Sequence, residues 1–224
     1  MCVQRAFKSS IILNGLVKMI KILGKLPEKA YVACSGGSDS MAILDFLIRG
    51  KRDVTVAHFN HDTPFGRFAE NFVKNHCKKN DIKLVTGKIQ RKKDSNESWE
   101  EYWRNERYKF FESLEGPVIT AHHLDDVVEW WTFTSFHGNP RLIPYRRNKT
   151  IRPFLSTTKD EIWNWVDRKK VPYVTDPGNF DDKFARSYIR NNIIPQALKI
   201  NPGLRKVIKK KVEKHYEDEE RTQC

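Results

Sequence analysis

A pair of adjacent glycines between a short apolar run and a helix-forming run most constrains this chain. Tyr31-Val32-Ala33-Cys34 predicts a buried strand, and Met41 to Ile48 predicts a helix stopped at Gly50. Between them lies Ser35-Gly36-Gly37-Ser38-Asp39-Ser40. Gly36 and Gly37 permit φ > 0 and let the backbone approach a ligand closely. Successive N–H groups in such a turn form a nest for anionic oxygens, and the following helix N-terminus adds a favourable dipole. Ser35, Ser38 and Ser40 offer hydroxyl donors. Asp39 is the odd member, because a carboxylate repels phosphate unless it holds Mg²⁺ bridging to the phosphates. The lysine-containing loop G-x-x-x-x-G-K-[ST] is absent. Five specified residues at about 7% each recur by chance at a given position on the order of once in a million.

The rest of the first two thirds alternates between strand and helix patterns. Val54–Phe59, Ile82–Ile89 and Pro117–Ala121 predict further strands. Helices are predicted through Phe68–Cys77, over Trp99–Leu114, and from the fourth strand through Thr134. This alternation implies an α/β fold, a parallel sheet covered by helices on both faces. After Gly138 the pattern loosens. Thr158 with Glu161 forms a capping box ahead of Ile162, Trp163 and Val166. A loop follows over Pro172–Asp182, and a last helix begins near Ser187. Three units are expected: an amphipathic helical extension at 1–27 (Ile11–Leu26 apolar, broken by Lys18, Lys21 and Lys25), a catalytic domain at 28–198, and a basic helical tail at 199–224. The six tryptophans fall mostly in predicted helices and read as core or domain-contact residues.

Charge narrows the partners. Lys and Arg number 41 against 28 Asp and Glu, for a formal +13 across 224 residues. Solubility needs only about 2 to 8 charges in a small domain, so the excess points to a polyanion, and nucleic acid is the usual one. The excess gathers at Lys88–Lys93, at Arg146, Arg147, Lys149 and Arg152, and from Lys199 to Lys214. Cys2, Cys34, Cys77 and Cys224 show no C-x-x-C spacing, which argues against a thiolate metal cluster and for a reducing, cytoplasmic setting. The apolar stretch near the N-terminus is too interrupted to span a membrane.

S-G-G-x-D-S resembles the signature of the PP-loop ATP pyrophosphatases. That resemblance implies cleavage of ATP between its α and β phosphates and transfer of AMP to a carbonyl oxygen. Further motifs resemble the tRNA(Ile)-lysidine synthase family. They are His58-Phe59-Asn60-His61, then Glu100 with Arg104, Arg107 and Tyr108, then Ala121-His122-His123-Leu124-Asp125-Asp126 with Glu129. Ile151-Arg152-Pro153-Phe154-Leu155 and Asp176-Pro177-Gly178-Asn179 with Arg186 to Arg190 continue the series, which Pro195 and Asn201-Pro202 close. Six motifs in order are a specific signal.

The resemblance implies ATP, Mg²⁺, L-lysine and an isoleucine tRNA with a CAU anticodon as ligands. It implies catalytic roles for Asp39, Asp125, Asp126, Glu129 and Arg104, with Asp39 also the metal ligand. It implies ATP contacts at Ser35 to Ser40, His58 and Arg107. Lysine or tRNA contacts fall on Asn60, His61, Glu100, His123, Arg152, Asp176, Asn179, Arg186 and Arg190. Residue chemistry agrees in part. Asp125 and Glu129 share a helix face at i and i+4, and a carboxylate bank beside phosphates is useful if it receives a cation. Arg104 and Arg107, at i and i+3, suit phosphate, although a surface ladder with Glu100 and Glu101 is the plainer alternative.

Two departures stand out: Asp62-Thr63-Pro64 replaces the family's Gly and Leu-Arg, and the Gly138-Asn139-Pro140-Arg141 turn is short. The chain is also expected to be a compact form without the family's large C-terminal tRNA-binding domains. A homodimer stays open. So do a ligase joining another amine to a nucleoside, and a non-catalytic RNA-binding module on the same fold.

Overall fold

The computed structural model describes residues 19–180 and 185–223. Five strands run parallel: β1 (Lys29–Ala33), β2 (Asp53–Asn60), β3 (Leu84–Lys88), β4 (Val118–Ile119) and β6 (Thr150–Ile151). A sixth, β5 (Arg146–Arg147), pairs antiparallel with β6 across a tight turn where Asn148 takes φ 51°. The order is β3-β2-β1-β4-β6-β5. The chain moves outward from β1 to β3, then returns to β4 on the other side. Ligands of open parallel sheets sit at such a reversal, beyond the strands' C-terminal ends.

Helices α1 (Ser38–Arg49), α2 (Pro64–Lys79), α3 (Trp99–Ser113) and α4 (Leu124–Phe136) follow β1 to β4. Their starts obey local chemistry. Thr63 and Ser98 accept hydrogen bonds from the Gly66 and Glu101 amides at the starts of α2 and α3. At α5 (Lys159–Lys169) the Thr158–Glu161 capping box forms as its sequence predicts. Buried Val32, Ile43, Leu44, Leu47, Val56 and Ile119 make the main core with Phe154 and Ile162. Gly87 in β3 lets α3 lie close, since a Cβ there would stand 2.5 Å from Phe110 Cδ2.

One expectation needs correction. Within the expected helix Ile11–Leu26, the described residues from Met19 onward form a strap rather than a helix, and residues 1–18 lie outside the described residues. The strap's backbone groups bond elsewhere: Thr157 Oγ1 receives Lys21 N–H at 2.9 Å and donates to Lys21 O at 2.7 Å. Leu23 N–H donates to Pro153 O at 2.7 Å. Backbone groups committed to these distant partners cannot close helical bonds.

The basic tail, in turn, is a packed element. Its helix α8 (Leu204–Gln223) buries Ile208 and Val212 against Leu124, Val127 and Val128 of α4. Between the sheet and α8 run α6 (Ala185–Tyr188), a π-helical stretch (Ile189–Ile193) and α7 (Ile194–Ile200). Pro195, near the start of α7, has no N–H to give, and the wider π turn accommodates that loss.

Candidate active site

The phosphate-loop residues behave as two groups. Gly36 adopts φ 86°, and a Cβ on it would press on Val174 at 3.2 Å. Gly36 O accepts from Val174 N–H at 2.9 Å, so the 172–178 loop docks directly on the turn. Ser40 faces inward. It receives Ser35 N–H at 3.2 Å, donates to Gly37 O at 3.0 Å, and braces the loop instead of lining it. Ser35 is exposed and Gly37 and Ser38 are half-buried, and Gly37, at the N-cap of α1, makes no side-chain cap hydrogen bond. The first amides of α1 thus retain their capacity for an anion.

Asp39 projects from the first turn of α1 into a ring of counter-charges. Lys159 Nζ contacts its Oδ1, and His123 Nε2 lies 3.7 Å from its Oδ2. Burial alone would raise this carboxyl. The His123 and Lys159 interactions outweigh burial and hold it well below the ordinary carboxylate range. His123, buried at the N-cap of α4, is desolvated, yet Asp126, Asp39 and Asp125 raise its pKa. Lys159 also donates its backbone N–H to Asp125 Oδ2 at 2.8 Å, tying the start of α5 to α4.

The carboxylate bank of α4 is already matched. Asp126 accepts the His123 backbone N–H at 2.9 Å as a capping-box partner. Asp125 takes the Arg205 guanidinium of α8 at 2.7 Å. Glu129 is 0% exposed and clamps two arginines, with Arg186 Nε at 2.6 Å and Arg190 Nε at 2.7 Å. The expected role of Glu129 as a catalytic group facing a substrate is therefore corrected. Its oxygens hold the segment carrying Arg186 and Arg190, whose side chains stay partly exposed beside it.

Across the cleft four guanidiniums gather at Tyr108. Arg104, Arg107 and Arg147 lie 4.9, 5.9 and 5.4 Å from its ring centre, and Arg152 donates to its hydroxyl at 2.9 Å. The ladder with Glu100 and Glu101 does not form: among the described residues no carboxylate pairs with Arg104 or Arg107. Burial lowers the pKa of both, and neighbouring arginines lower it further. Such a cluster is stable beside an anion. Burial first, and then Arg107 and its neighbour His58, push His61 down to about 4. Burial and the nearby arginines push His122 down to about 3.

Several expected contacts are relocated. Arg152 is 1% exposed and serves Tyr108 and Pro144 O, so it is an internal brace and not a tRNA contact. Asn60 bonds Glu70 at 2.6 Å and the Asp62 amide at 2.8 Å, as a turn residue does. His58 Nδ1 bonds Cys34 O at 2.8 Å and supports the loop from behind. Glu100 is exposed on the first turn of α3. Asp176 accepts the Gly178 N–H and shapes its own turn. Asn179 falls in that turn, with its side chain outside the described ones. Sequence reasoning missed Lys159, which contacts Asp39, and Arg205, which holds Asp125. Lys159 opens α5 between Thr158 and Asp160, and Arg205 lies in the basic run of α8; no motif marks either as a site residue.

Among the described residues, no group of three or more His, Cys, Asp or Glu is arranged to hold a metal ion unaided. The ionised Asp39 fits Mg²⁺ of the kind carried by a nucleotide, which takes one or two protein carboxylates and completes its shell with phosphate oxygens and water.

The PP-loop domain family matches residues 11–197. Relatives named tRNA(Ile)-lysidine synthase include those of Persephonella marina (34% identical, 79% of this chain, 43% of that protein) and Thermotoga sp. strain RQ2 (33%, 78% and 46%). That of Staphylococcus aureus strain COL is 33% identical over 73% of this chain and 43% of its own. The chain thus spans less than half the length of the curated relatives it matches. Among solved structures, an NH3-dependent NAD synthetase from Campylobacter jejuni aligns with a TM-score of 0.48 at 13% identity, over 84% of this chain and 85% of that one. With a family match covering most of its length, the chain belongs to the PP-loop family.

Proposed function

We propose that this chain is the catalytic part of an AMP-forming ligase that joins lysine to the wobble cytidine of a CAU-anticodon isoleucine tRNA. The combination of an ionised Asp39 at the phosphate loop and carboxylate-free Arg104 and Arg107 on α3 carries the reading. It supplies a place for a triphosphate and a separate place for a second anion. The relatives' names supply the substrate class.

ATP sits with its phosphates against the amides of Ser35 to Asp39. The C2 oxygen of the cytidine attacks the α phosphorus, and the α–β bridging oxygen leaves with pyrophosphate. Arg104 and Arg107 stabilise charge on the departing group. Mg²⁺ held in part by Asp39 would neutralise charge on the phosphates. The neutral ε-amine of lysine then attacks C2, AMP leaves with the former C2 oxygen, and the amine's surplus proton passes to a base. We assign that proton to Asp125 or Asp126, which stay partly exposed beside their Arg205 and His123 partners. Glu129, sealed beneath two arginines, is not. The cytidine must leave the anticodon stack to be reached.

No described helix is long and apolar enough to cross a membrane. A cytoplasmic location, where tRNA, ATP and lysine coexist, belongs to this proposal.

The test is incubation of the protein with ATP, Mg²⁺, lysine and the tRNA transcript, followed by nuclease digestion and mass spectrometry. A lysine adduct on cytidine supports the reading. Its absence, with pyrophosphate exchange retained, reduces the claim to adenylation. An Asp39→Ala variant is expected to lose both.

A further inference from the structure

The tryptophans were expected as core or domain-contact residues, yet Trp99 is 53% exposed. Its ring lies 5.5 Å from that of Trp103, tilted by 38°. Trp103 in turn lies 6.0 Å from His61, whose ring meets Phe59 at 5.1 Å. Burial increases along this path, from exposed Trp99 through half-buried Trp103 and His61 to buried Phe59. The path runs from solvent to the end of β2, where Arg107 acts on His61. His61 Nδ1 is buried and has no hydrogen-bond partner.

From these contacts we infer that Trp99, Trp103 and His61 form a stacking ladder for unpaired RNA bases beside the target nucleotide. The inference rests on the RNA-directed reading above and names the surface that would hold the splayed loop. Charge selects the occupant. Lys93 Nζ sits 5.5 Å above the Trp99 ring, and the carboxylate-free Arg104 and Arg107 lie on the same helix. A chain of +13 attracts polyanions, and aromatic faces with flanking cations suit single-stranded nucleic acid. Glu100 and Glu101, beside Trp99 in sequence, repel phosphate locally. The ladder therefore takes bases, while Arg147, exposed beside Tyr108, follows the backbone. A duplex offers no free base faces and gains nothing there.

The experiment compares Trp99→Ala, Trp99→Phe and Trp103→Phe with wild type. The probes are a fluorescent RNA hairpin carrying CAU in its loop and the same strand annealed to its full complement. Trp99→Ala is expected to weaken hairpin binding about 5- to 100-fold, with Trp99→Phe close to wild type and duplex binding unchanged. Matching melting curves exclude misfolding. Equal hairpin affinity for wild type and Trp99→Ala overturns the ladder while leaving the ligase reading intact. Wild type that binds hairpin no better than duplex overturns both. A wild-type dimer that Trp99→Ala converts to monomer in sedimentation assigns the patch to self-association and also overturns the ladder.

Discussion

Replacing Glu129 with glutamine separates a clamp from a catalytic carboxylate. In the structure Glu129 has no solvent contact and binds Arg186 and Arg190, whose side chains keep 34% and 49% of their exposure. Removing one partner from a fully buried pair costs about 3–5 kcal/mol, because the other charge is stranded. Here the arginines can swing toward water, which brings the expected loss down to about 2–3 kcal/mol. At about 2–4 °C per kcal/mol for a chain of this size, the melting midpoint should fall by about 4–12 °C. Scanning calorimetry of Glu129→Gln beside Arg190→Met and the double variant is the assay. A clamp predicts coupling between the two positions of about 0.5–3 kcal/mol. A carboxylate kept for chemistry predicts unchanged or raised stability with activity lost, since active-site charges are often held at a cost. A midpoint within about 1 °C of wild type would refute the clamp.

Other expectations follow from the same geometry. His123 has a raised pKa in the folded chain, so its stabilising contribution is full below its unfolded value and is lost as pH rises through the folded one. The urea midpoint of wild type relative to His123→Asn should accordingly shrink from pH 6 to pH 9, and a constant gap contradicts the raised value. Gly36→Ala places a side chain at φ 86° against Val174; it should cost about 1–2 kcal/mol and weaken ATP binding measured by calorimetry, and wild-type values would contradict the strain. Arg147→Ala should lower the salt slope of single-stranded RNA binding by about 0.7, and an unchanged slope would remove that residue from the phosphate path.

What could be read beforehand was local. The phosphate turn, the strands around it and the Thr158 capping box are each specified by neighbours within a few residues. The short β5–β6 hairpin escaped notice because its four paired residues include Arg146 and Arg147, which read as a charge run. Arg152 looked like surface because arginine usually is, and Trp99 looked like core for the converse reason. The spacing of Asp125 and Glu129 on one helix face was legible. The arginines that complete them come from α8 and from the segment after α5, and no local pattern encodes that meeting.

The strap bears on how the chain is made. Lys21 finds its partner Thr157 at a separation of 136 residues. At about 5–20 residues per second, a ribosome needs roughly 7 to 27 s to deliver Thr157 after Lys21. Throughout that interval the apolar Ile20, Leu23 and Leu26 have no completed surface to enter, because the core they join includes Phe154 and Ile162. The seam the segment closes with Pro153 and Thr157 therefore forms only late in synthesis. A translational pause before residue 162 would lengthen that exposure.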